Sequence, residues 1–201
     1  MDPSRAFDIN ENVRQQILEA AFTRFGHYGY NKTTMAEIAD DAGMSAANLY
    51  RYFENKQEIA AACANRCICQ QIDLLRAAVK QPRLSAVERL DNYVMTMLND
   101  CHETFSNETK INEVVTFITS ERAELVHQKI EAQQALIAEI LAHGNQTGEF
   151  DVKDVIATAR AVHSALVVFG VPQFMSLYSL EEFRHKAQDV VTLLMDGLKK
   201  R

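Results

Sequence analysis

The chain has 201 residues, of which 47% are hydrophobic and 24% charged, with seven Gly, three Pro and no Trp. This balance excludes a disordered or collagen-like chain and disfavours a loop-rich β-sandwich, and no apolar run is long enough to predict a membrane-spanning helix. The formal net charge of −6 argues against a protein that coats nucleic acid without regard to sequence, because such proteins are basic.

Helical periodicity with clear start signals dominates the N-terminal part of the chain. Asn10 is the predicted cap of a first helix that Gly26 and Gly29 stop. Thr34 and Glu37 have the spacing of a capping box, and Ser45 is the predicted cap of the next short helix. The predicted helices cover residues 11–25, 35–42, 46–53 and 56–80.

Long helices are predicted for the remainder. Ser85 with Glu88 and Ser179 with Glu182 repeat the capping-box spacing, and Asp151 is the predicted cap of the penultimate helix. The predicted helices cover residues 86–105, 111–119, 121–143, 152–169 and 181–198, with turns at 106–110, 144–148 and 170–176. About nine helices and no strand predict an all-α protein, with an N-terminal domain over residues 1–56 and a larger helical domain over residues 57–201.

Residues 33–56, TTMAEIADDAGMSAANLYRYFENK, predict two short helices that meet at a Gly-containing turn. This pattern is the helix-turn-helix. On a helical wheel, Leu49 and Phe53 share the packed face of the second helix, and Ile38 and Ala39 face inward from the first. The wheel therefore predicts an opposite, outward face on the second helix.

That outward face carries Ala47, Asn48 and Arg51, with Tyr50 and Tyr52 on its flanks. Asn and Arg side chains can read adenine and guanine in a major groove, and Tyr hydroxyls can bond phosphates. Lys56 lies at the start of the next helix, where an ammonium group beside free N–H groups predicts a phosphate clamp. Because residues 1–60 carry six Lys and Arg against nine Asp and Glu, this reading surface must be small and local.

The stretch resembles the DNA-binding domain of the TetR family of transcriptional regulators. The matching residues are Gly29, Tyr30, Thr33, Thr34, Ile38, Ala39, Ala42, Gly43, Ser45, Leu49, Tyr50, Tyr52, Phe53 and Lys56. The resemblance implies a phosphate contact from Thr34, with the shared Ser45 among the DNA-binding residues. It also implies base contacts from Ala46, Ala47 and Asn48, and backbone contacts from Tyr50, Tyr52 and Lys56. Ala47 stands where many members of the family have Gly. Arg51 is a variable position in the family, and only the helical wheel suggests that it contacts DNA.

The resemblance further implies a homodimer on a palindromic operator, released by a small-molecule inducer held among the C-terminal helices. The last two helices would form the dimer interface, through the apolar residues Val155, Ile156, Ala159, Val162, Leu166, Val190, Val191 and Leu194. The candidate pocket residues are Tyr93, Met97, Phe105, Phe117, His127, His163 and Phe174. Residues of these types at helical spacing are also typical of a core, and His163 is the strongest polar candidate because it lies on an apolar stripe.

Other classes of function remain to be weighed. The chain has no G-x-S-x-G turn, no G-x-x-x-x-G-K loop and no H-E-x-x-H motif, so no enzyme, cofactor or metal site is predicted. Cys63 and Cys67 share a helix face and suggest thiol or soft-metal sensing as an alternative, although small thiols are common in cores. A helix-turn-helix kept for protein contact is a further alternative. The N-terminus lacks the apolar stretch of a signal peptide, so a cytoplasmic protein with reduced Cys is expected.

Overall fold

The computed structural model describes residues 3–106 and 110–199, with side chains from residue 10 onward. In that part of the chain the α-helices are α1 (Pro3–Tyr28), α2 (Met35–Asp41), α3 (Ala46–Leu49), α4 (Lys56–Val79), α5 (Ala86–Phe105), α6 (Ile111–Glu121), α7 (Ala123–Thr147), α8 (Val155–Leu166) and α9 (Leu180–Leu198). Short 3₁₀ segments cover Val167–Gly170 and Pro172–Phe174. The all-α prediction with nine helices is confirmed for the described residues, which contain one isolated antiparallel bridge, between Phe150 and Lys199.

The chain divides into two compact units. The first contains Met1–Cys67 and Glu108–Leu125, and the second contains Ile68–Asn107 and Val126–Arg201. The first unit is therefore larger than the predicted N-terminal domain, because it includes the first half of α4 and all of α6. Within the described ranges, no helix is both long and apolar enough to cross a membrane.

The first unit is built on the apolar face of α1. Ile17 and Phe25 on this helix are buried together with Ile38 on α2, Leu49 on α3 and Ile59 on α4. The prediction that Ile38, Ala39, Leu49 and Phe53 form the packed side of the two short helices is confirmed. Burying these side chains fixes α2 and α3 on α1 and determines which face of α3 remains open.

The second unit has a separate core, which α5 and α9 build together with α4, α7 and α8. Tyr93 on α5, Ile137 on α7, Ala159 on α8 and Phe183 on α9 are among its buried residues. The predicted capping boxes that open α5 and α9 are both present, because Ser85 accepts from the N–H of Glu88 and Ser179 accepts from the N–H of Glu182.

Several predicted helix ends are wrong. The first helix begins at Pro3, ahead of Asn10, and continues through Gly26 to Tyr28. It stops at Gly29, the second of the two predicted stops, whose φ of 88° is left-handed and therefore favours glycine. A single Gly costs a helix interior only about 1 kcal/mol, so Gly26 does not stop it.

The second short helix also differs from its prediction. α3 ends at Leu49 rather than near Phe53. Beyond it the N–H groups of Arg51 and Tyr52 donate to carbonyls three residues back, at 3.1 and 2.9 Å, so the helix tightens into turns.

The helices on either side of residue 150 are shifted as well. α7 continues through Gly144, which is buried where an added Cβ would lie 2.1 Å from Phe150 Cδ2. Asp154, not Asp151, caps α8, by accepting from the N–H of Ala157 at 2.9 Å. α8 then ends at Leu166 and gives way to the 3₁₀ segments. Residues 107–109 of the predicted turn at 106–110 lie outside the described residues.

Candidate nucleic-acid interface and ligand pocket

The turn between α2 and α3 is set by local chemistry. Thr34 and Glu37 form the predicted capping box at the start of α2. At its end, Gly43 has a φ of 67° and the N–H of Met44 donates to the carbonyl of Ala39 at 2.9 Å, a helix-ending arrangement that needs a left-handed residue. Ser45 then caps α3 by accepting from the N–H of Asn48 at 3.2 Å. The two helices therefore meet at a defined, tight turn.

The face of α3 opposite its packed side is open, as the wheel predicts. Ala47 and Arg51 are exposed, and Tyr50 is 54% exposed. Asn48 and Tyr52 are half-buried, with Asn48 Nδ2 lying 3.9 Å from Met44 Sδ. Small and polar side chains on an open helix face can approach base edges, so this surface suits a major groove.

The remaining predicted DNA-binding residues lie around this face. Ser45 and Thr34 are exposed at the N-terminal ends of α3 and α2, and Ala46 is half-buried on the first turn of α3. The Thr34 hydroxyl donates to Glu37 Oε2 at 2.8 Å. That carboxylate sits at the start of α2, and its pKa is held below its usual range mainly by the hydrogen bond from the Thr34 N–H.

Two side chains of α1 hold the ends of the helix-turn-helix, and no sequence motif indicated either of them. The guanidinium carbon of Arg14 lies 4.2 Å from the centre of the Phe53 ring, and Arg14 Nη1 donates to the carbonyl of Tyr52 at 3.2 Å. Gln16 Nε2 donates to the carbonyl of Ala42 at 3.0 Å. The only signal for them is their position beside the apolar stripe of α1, which does not say what they contact.

Arg24 on α1 partly offsets the acidic charge of α2. Its Nη1 lies 3.2 Å from Glu37 Oε1, and it pairs with both carboxylate oxygens of Asp41. The hydrogen bond from Arg24 holds the pKa of Asp41 below its usual range. Two carboxylates close to the reading face are thus paired with a cation rather than left free to repel phosphate.

Lys56 has a different environment from the one the sequence predicts. Its ammonium group donates to the carbonyls of Tyr30 at 2.7 Å, Thr33 at 2.8 Å and Asn31 at 3.4 Å. It also lies 4.4 Å from the centre of the Tyr30 ring, and burial lowers its pKa. Because an ammonium has three donors, all of them are directed at the turn before α2 rather than at a phosphate position.

Part of the predicted ligand pocket is brought together in the second unit. Tyr93 and Met97 on α5 and His163 on α8 are all buried. Gln133 connects two of them, since its Oε1 lies 3.1 Å from His163 Nε2 and its Nε2 lies 3.7 Å from Met97 Sδ. Phe105 packs half-buried against the same core. These residues therefore lie together in the core of the second unit, beside a glutamine that no pattern indicated, and the ligand pocket itself stays a prediction.

The polar groups of this cluster continue beyond His163. Gln133 Nε2 lies 3.4 Å from Gln71 Oε1, and Gln71 Nε2 donates to Asp100 Oδ2 at 2.7 Å. Burial lowers the pKa of His163, so the ring is neutral, and its Nε2 carries the proton because Gln133 Oε1 is an acceptor. The hydroxyl of Tyr93 is buried with no hydrogen-bond partner in the described part of the chain, and burial raises its pKa.

Three predicted pocket residues do not join this cluster. His127 is exposed on the same polar face of α7 as Glu131, and Phe174 is 38% exposed in a 3₁₀ segment. Phe117 belongs to the first unit, where its ring stacks on Tyr30 at 4.7 Å. Helical spacing predicted that His127 and Phe117 lie on helices and that Phe174 lies in a turn, but it does not tell which side chains are covered.

The predicted dimer surface divides in the same way. Ala159, Val162, Leu166 and Val191 are buried in the core of the second unit, so they are not available to a partner. Val155, Val190 and Leu194 are half-buried. Ile156 on α8 is 62% exposed and Leu193 on α9 is 74% exposed. These two large apolar side chains, with the smaller exposed Ala161 and Ala165, leave an apolar surface on the last two helices.

The cysteines do not favour the sensing alternative. Cys63 is buried and donates to the carbonyl of Leu18 at 3.4 Å, and burial raises its pKa to about 12. Cys101 is buried likewise, and its pKa is also raised to about 12. A thiol with so high a pKa is a poor nucleophile and metal ligand. Among the residues that the structure describes, no group of three His, Cys, Asp or Glu could hold a metal ion.

Two family models match the chain. The model described as "Bacterial regulatory proteins, tetR family" matches residues 17–63, and the model described as "Tetracyclin repressor-like, C-terminal domain" matches residues 86–191. The second model alone spans more than half of the chain, and the first contains the whole helix-turn-helix.

Individual relatives agree with these models. The HTH-type transcriptional dual regulator CecR of Shigella flexneri is 43% identical over 54 residues, which cover 27% of this chain and 24% of CecR. The probable HTH-type transcriptional regulator ArpR of Pseudomonas putida is 25% identical over 153 residues, which cover 71% of this chain and 72% of ArpR. The solved complex of SmeT with triclosan has the same fold, with a TM-score of 0.68 at 18% identity over 94% of this chain and 92% of SmeT. The chain belongs to the TetR family of bacterial regulatory proteins.

Proposed function

We propose that the chain is a sequence-specific transcriptional repressor that binds a palindromic DNA operator as a homodimer and leaves it when a small molecule binds. The observation that carries this proposal is the open face of α3. Ala47, Tyr50 and Arg51 are exposed while Leu49 and Phe53 of the same segment are buried. A second short helix presented in this way is the element that helix-turn-helix proteins insert into the major groove.

Each residue of this face has a distinct proposed role. Asn48 and Arg51 read base edges, because their side chains match adenine and guanine in the major groove. The small residues Ser45, Ala46 and Ala47 allow the backbone of α3 to approach the bases closely. Tyr50 and Tyr52 donate hydroxyl hydrogen bonds to phosphates and fix the register of the protein on the duplex. Thr34 does the same once a phosphate replaces Glu37 Oε2 as the acceptor of its hydroxyl.

The proposed homodimer uses the apolar surface of α8 and α9. Ile156 on α8 and Leu193 on α9 are large aliphatic side chains that are 62% and 74% exposed. A second copy is the partner that an operator with two half-sites requires, because each copy supplies one reading helix. Pairing of identical surfaces about a two-fold axis is the commonest oligomer geometry.

The proposed ligand site is the polar cluster around His163. Met97 and Tyr93 supply apolar surface, while Gln133 and the neutral imidazole of His163 supply hydrogen-bonding groups. The Tyr93 hydroxyl is a buried donor without a partner in the described residues, and a ligand acceptor would satisfy it. We therefore infer a largely apolar ligand with a hydrogen-bond acceptor, the chemistry typical of such pockets. SmeT, a protein of the same fold, was solved with triclosan bound.

Release from DNA follows from thermodynamic linkage. If the ligand binds more tightly to a conformation that holds DNA weakly, DNA and ligand lower each other's affinity by the same factor. The sign of regulation is taken from the family model that matches residues 86–191, whose description is repressor-like.

A charge placed on the reading face tests the proposal. Ala47→Asp puts a carboxylate where DNA would lie, and Ala77→Asp places the same change on an exposed position of α4 in the second unit. Equilibrium binding to a duplex selected by the wild-type protein is measured for both variants. We expect the first variant to lose binding and the second to retain it, and equal binding by both would refute the assignment of the face.

A further inference from the structure

The turn between α1 and α2 is held by a helix that is distant in sequence. α6 contributes two side chains to it, Glu113 and Phe117, and both belong to the same compact unit as the turn. The carboxylate of Glu113 accepts a hydrogen bond from the N–H of Asn31 at 2.9 Å. Phe117 stacks on Tyr30 at 4.7 Å with the ring planes 20° apart. The turn that leads into the helix-turn-helix is therefore fastened from outside it.

Gly29 makes the approach of Glu113 possible. An added Cβ on Gly29 would lie 2.7 Å from Glu113 Oε1 and 2.8 Å from Oε2. The φ of Gly29 is 88°, so the position favours glycine both for its backbone conformation and for the carboxylate packed against it. The carboxylate thus occupies a space that the backbone of the turn leaves for it.

Lys56 holds the same turn from the opposite end of the helix-turn-helix. The ring of Tyr30 has the ammonium of Lys56 at 4.4 Å and the ring of Phe117 at 4.7 Å. The same ammonium donates to the carbonyls of Tyr30 and Thr33 at 2.7 and 2.8 Å. Tyr30 itself is only 8% exposed, and Lys56 and Phe117 beside it are half-buried.

Thr34 is the residue whose position depends on these contacts. It directly follows Thr33, which is buried and whose hydroxyl donates to the carbonyl of Gly29 at 2.7 Å. Thr34 is exposed and caps α2. Any shift of the turn would therefore move the start of α2 and the exposed Thr34 with it.

We propose that Glu113 and Lys56 are positioning residues for DNA binding, which hold the turn so that Thr34 and the start of α2 meet the phosphate backbone without touching DNA themselves. The inference rests on the proposed function and replaces, for Lys56, the phosphate clamp expected from the sequence. Glu113 and Lys56 carry opposite charges but have the same proposed role.

A positioning role for Glu113 predicts a change in DNA affinity opposite to the one that charge repulsion alone predicts. Removing an acidic side chain from a DNA-binding protein normally strengthens binding, because it removes repulsion of phosphate. Here the removal of Glu113 weakens binding. For Lys56, a direct phosphate contact would contribute about 0.9 per phosphate to the slope of log K against log salt, whereas a positioning role leaves that slope unchanged.

The test compares Glu113→Leu with Glu113→Gln and with Glu121→Leu, which makes the same change at an exposed position of α6. Affinity for a duplex selected by the wild-type protein is measured at several salt concentrations. We expect Glu113→Leu to bind roughly 10- to 100-fold more weakly, which corresponds to the loss of one charge-assisted hydrogen bond, and to keep the wild-type salt slope. Glu113→Gln keeps an acceptor for the Asn31 N–H and recovers most of the affinity, and Glu121→Leu shows no loss.

Two further measurements keep the inference open to refutation if Glu113→Leu folds poorly. Phe117→Leu keeps apolar packing but loses the stack on Tyr30, and it is expected to weaken binding in the same direction. Hydrogen exchange at the Asn31 amide is expected to quicken in Glu113→Leu, because that amide loses its acceptor.

The outcomes separate this inference from the function on which it rests. Glu113→Leu that binds as tightly as the wild type, or more tightly, overturns the inference alone, as does Lys56→Met with a slope reduced by about 0.9 for each half-site. A wild-type protein that enriches no duplex overturns the proposed function and this inference together.

Discussion

Three glycines with similar backbone angles offer a matched test of the packing around the turn before α2. Gly29, Gly43 and Gly148 have φ values of 88°, 67° and 79°. An added Cβ would meet nothing within 4 Å at Gly43 and Gly148, but at Gly29 it would lie 2.7 Å from Glu113 Oε1. Substituting Ala at each position therefore applies the same backbone strain to all three and a steric conflict to one.

The expected losses follow from these two terms. A left-handed conformation costs a non-glycine residue roughly 1–2 kcal/mol, which is the whole expected loss at Gly43 and Gly148. At Gly29 the carboxylate of Glu113 must also move and give up its bond to the Asn31 N–H, and a hydrogen bond to a charged group is worth about 1.5–3 kcal/mol. Gly29→Ala is therefore expected to lower the free energy of unfolding by about 2.5–5 kcal/mol.

Urea unfolding followed by circular dichroism measures these differences. The excess at Gly29 should disappear when Gly29→Ala is made in a Glu113→Ala background, because the conflicting carboxylate is gone and the two changes are then strongly non-additive. Equal losses at all three glycines, or simple additivity in the double variant, would refute the claim that Glu113 packs into the space left by Gly29.

Three other predictions concern the second unit. Tyr93→Phe should raise the free energy of unfolding of the ligand-free protein by about 1 kcal/mol, since it removes a buried hydroxyl without a partner; a loss in thermal or urea unfolding would show that the hydroxyl is satisfied. Leu193→Glu should shift the protein from dimer to monomer in analytical ultracentrifugation and weaken operator binding. Leu74→Glu, at another exposed leucine, should do neither. Dimers in both variants would argue against a dimer interface on α9. Burial lowers the pKa of His163, so below a pH of about 6.5 the unfolded chain binds more protons than the folded one and the free energy of unfolding falls. His163→Gln should therefore lose less stability than the wild type between pH 7 and 5.5. Parallel curves of stability against pH for the two proteins would contradict the neutral, buried ring.

Local signals made several helix starts and the buried face of α3 predictable. The capping boxes at Thr34, Ser85 and Ser179 are present as predicted, because a capping box involves residues only three apart whose partners lie in the same turn of chain. The buried face of α3 was predictable for a similar reason. Residues four apart on a helix share a side whatever the rest of the protein does.

Contacts between distant segments were not predictable in this way. Lys56 was expected to face DNA, but its ammonium bonds the carbonyls of a turn more than twenty residues earlier. Arg14 and Gln133 carry no motif, and their roles exist only once α1 lies against Tyr52 and α7 lies near His163. Such partners depend on how helices pack, which one sequence does not specify by spacing alone.

For the pocket and dimer residues, too, the sequence predicted helices but not which helix faces are covered. Periodicity correctly placed His127 and Val191 on helices but gave the wrong environment for each, since His127 is exposed and Val191 is buried. An apolar stripe on a helix is covered either by its own chain or by a partner, and the stripe looks alike in the two cases. Only the packed structure separates them, by leaving Ile156 and Leu193 exposed.

Sequence-specific binding to a palindromic operator can be tested by selecting bound duplexes from a randomised pool at a stated salt concentration. We expect enrichment of a palindrome with two half-sites, each read by the α3 of one copy, and weaker binding as salt rises because phosphate contacts release counterions. A folded, dimeric protein that enriches no sequence from the pool would contradict it.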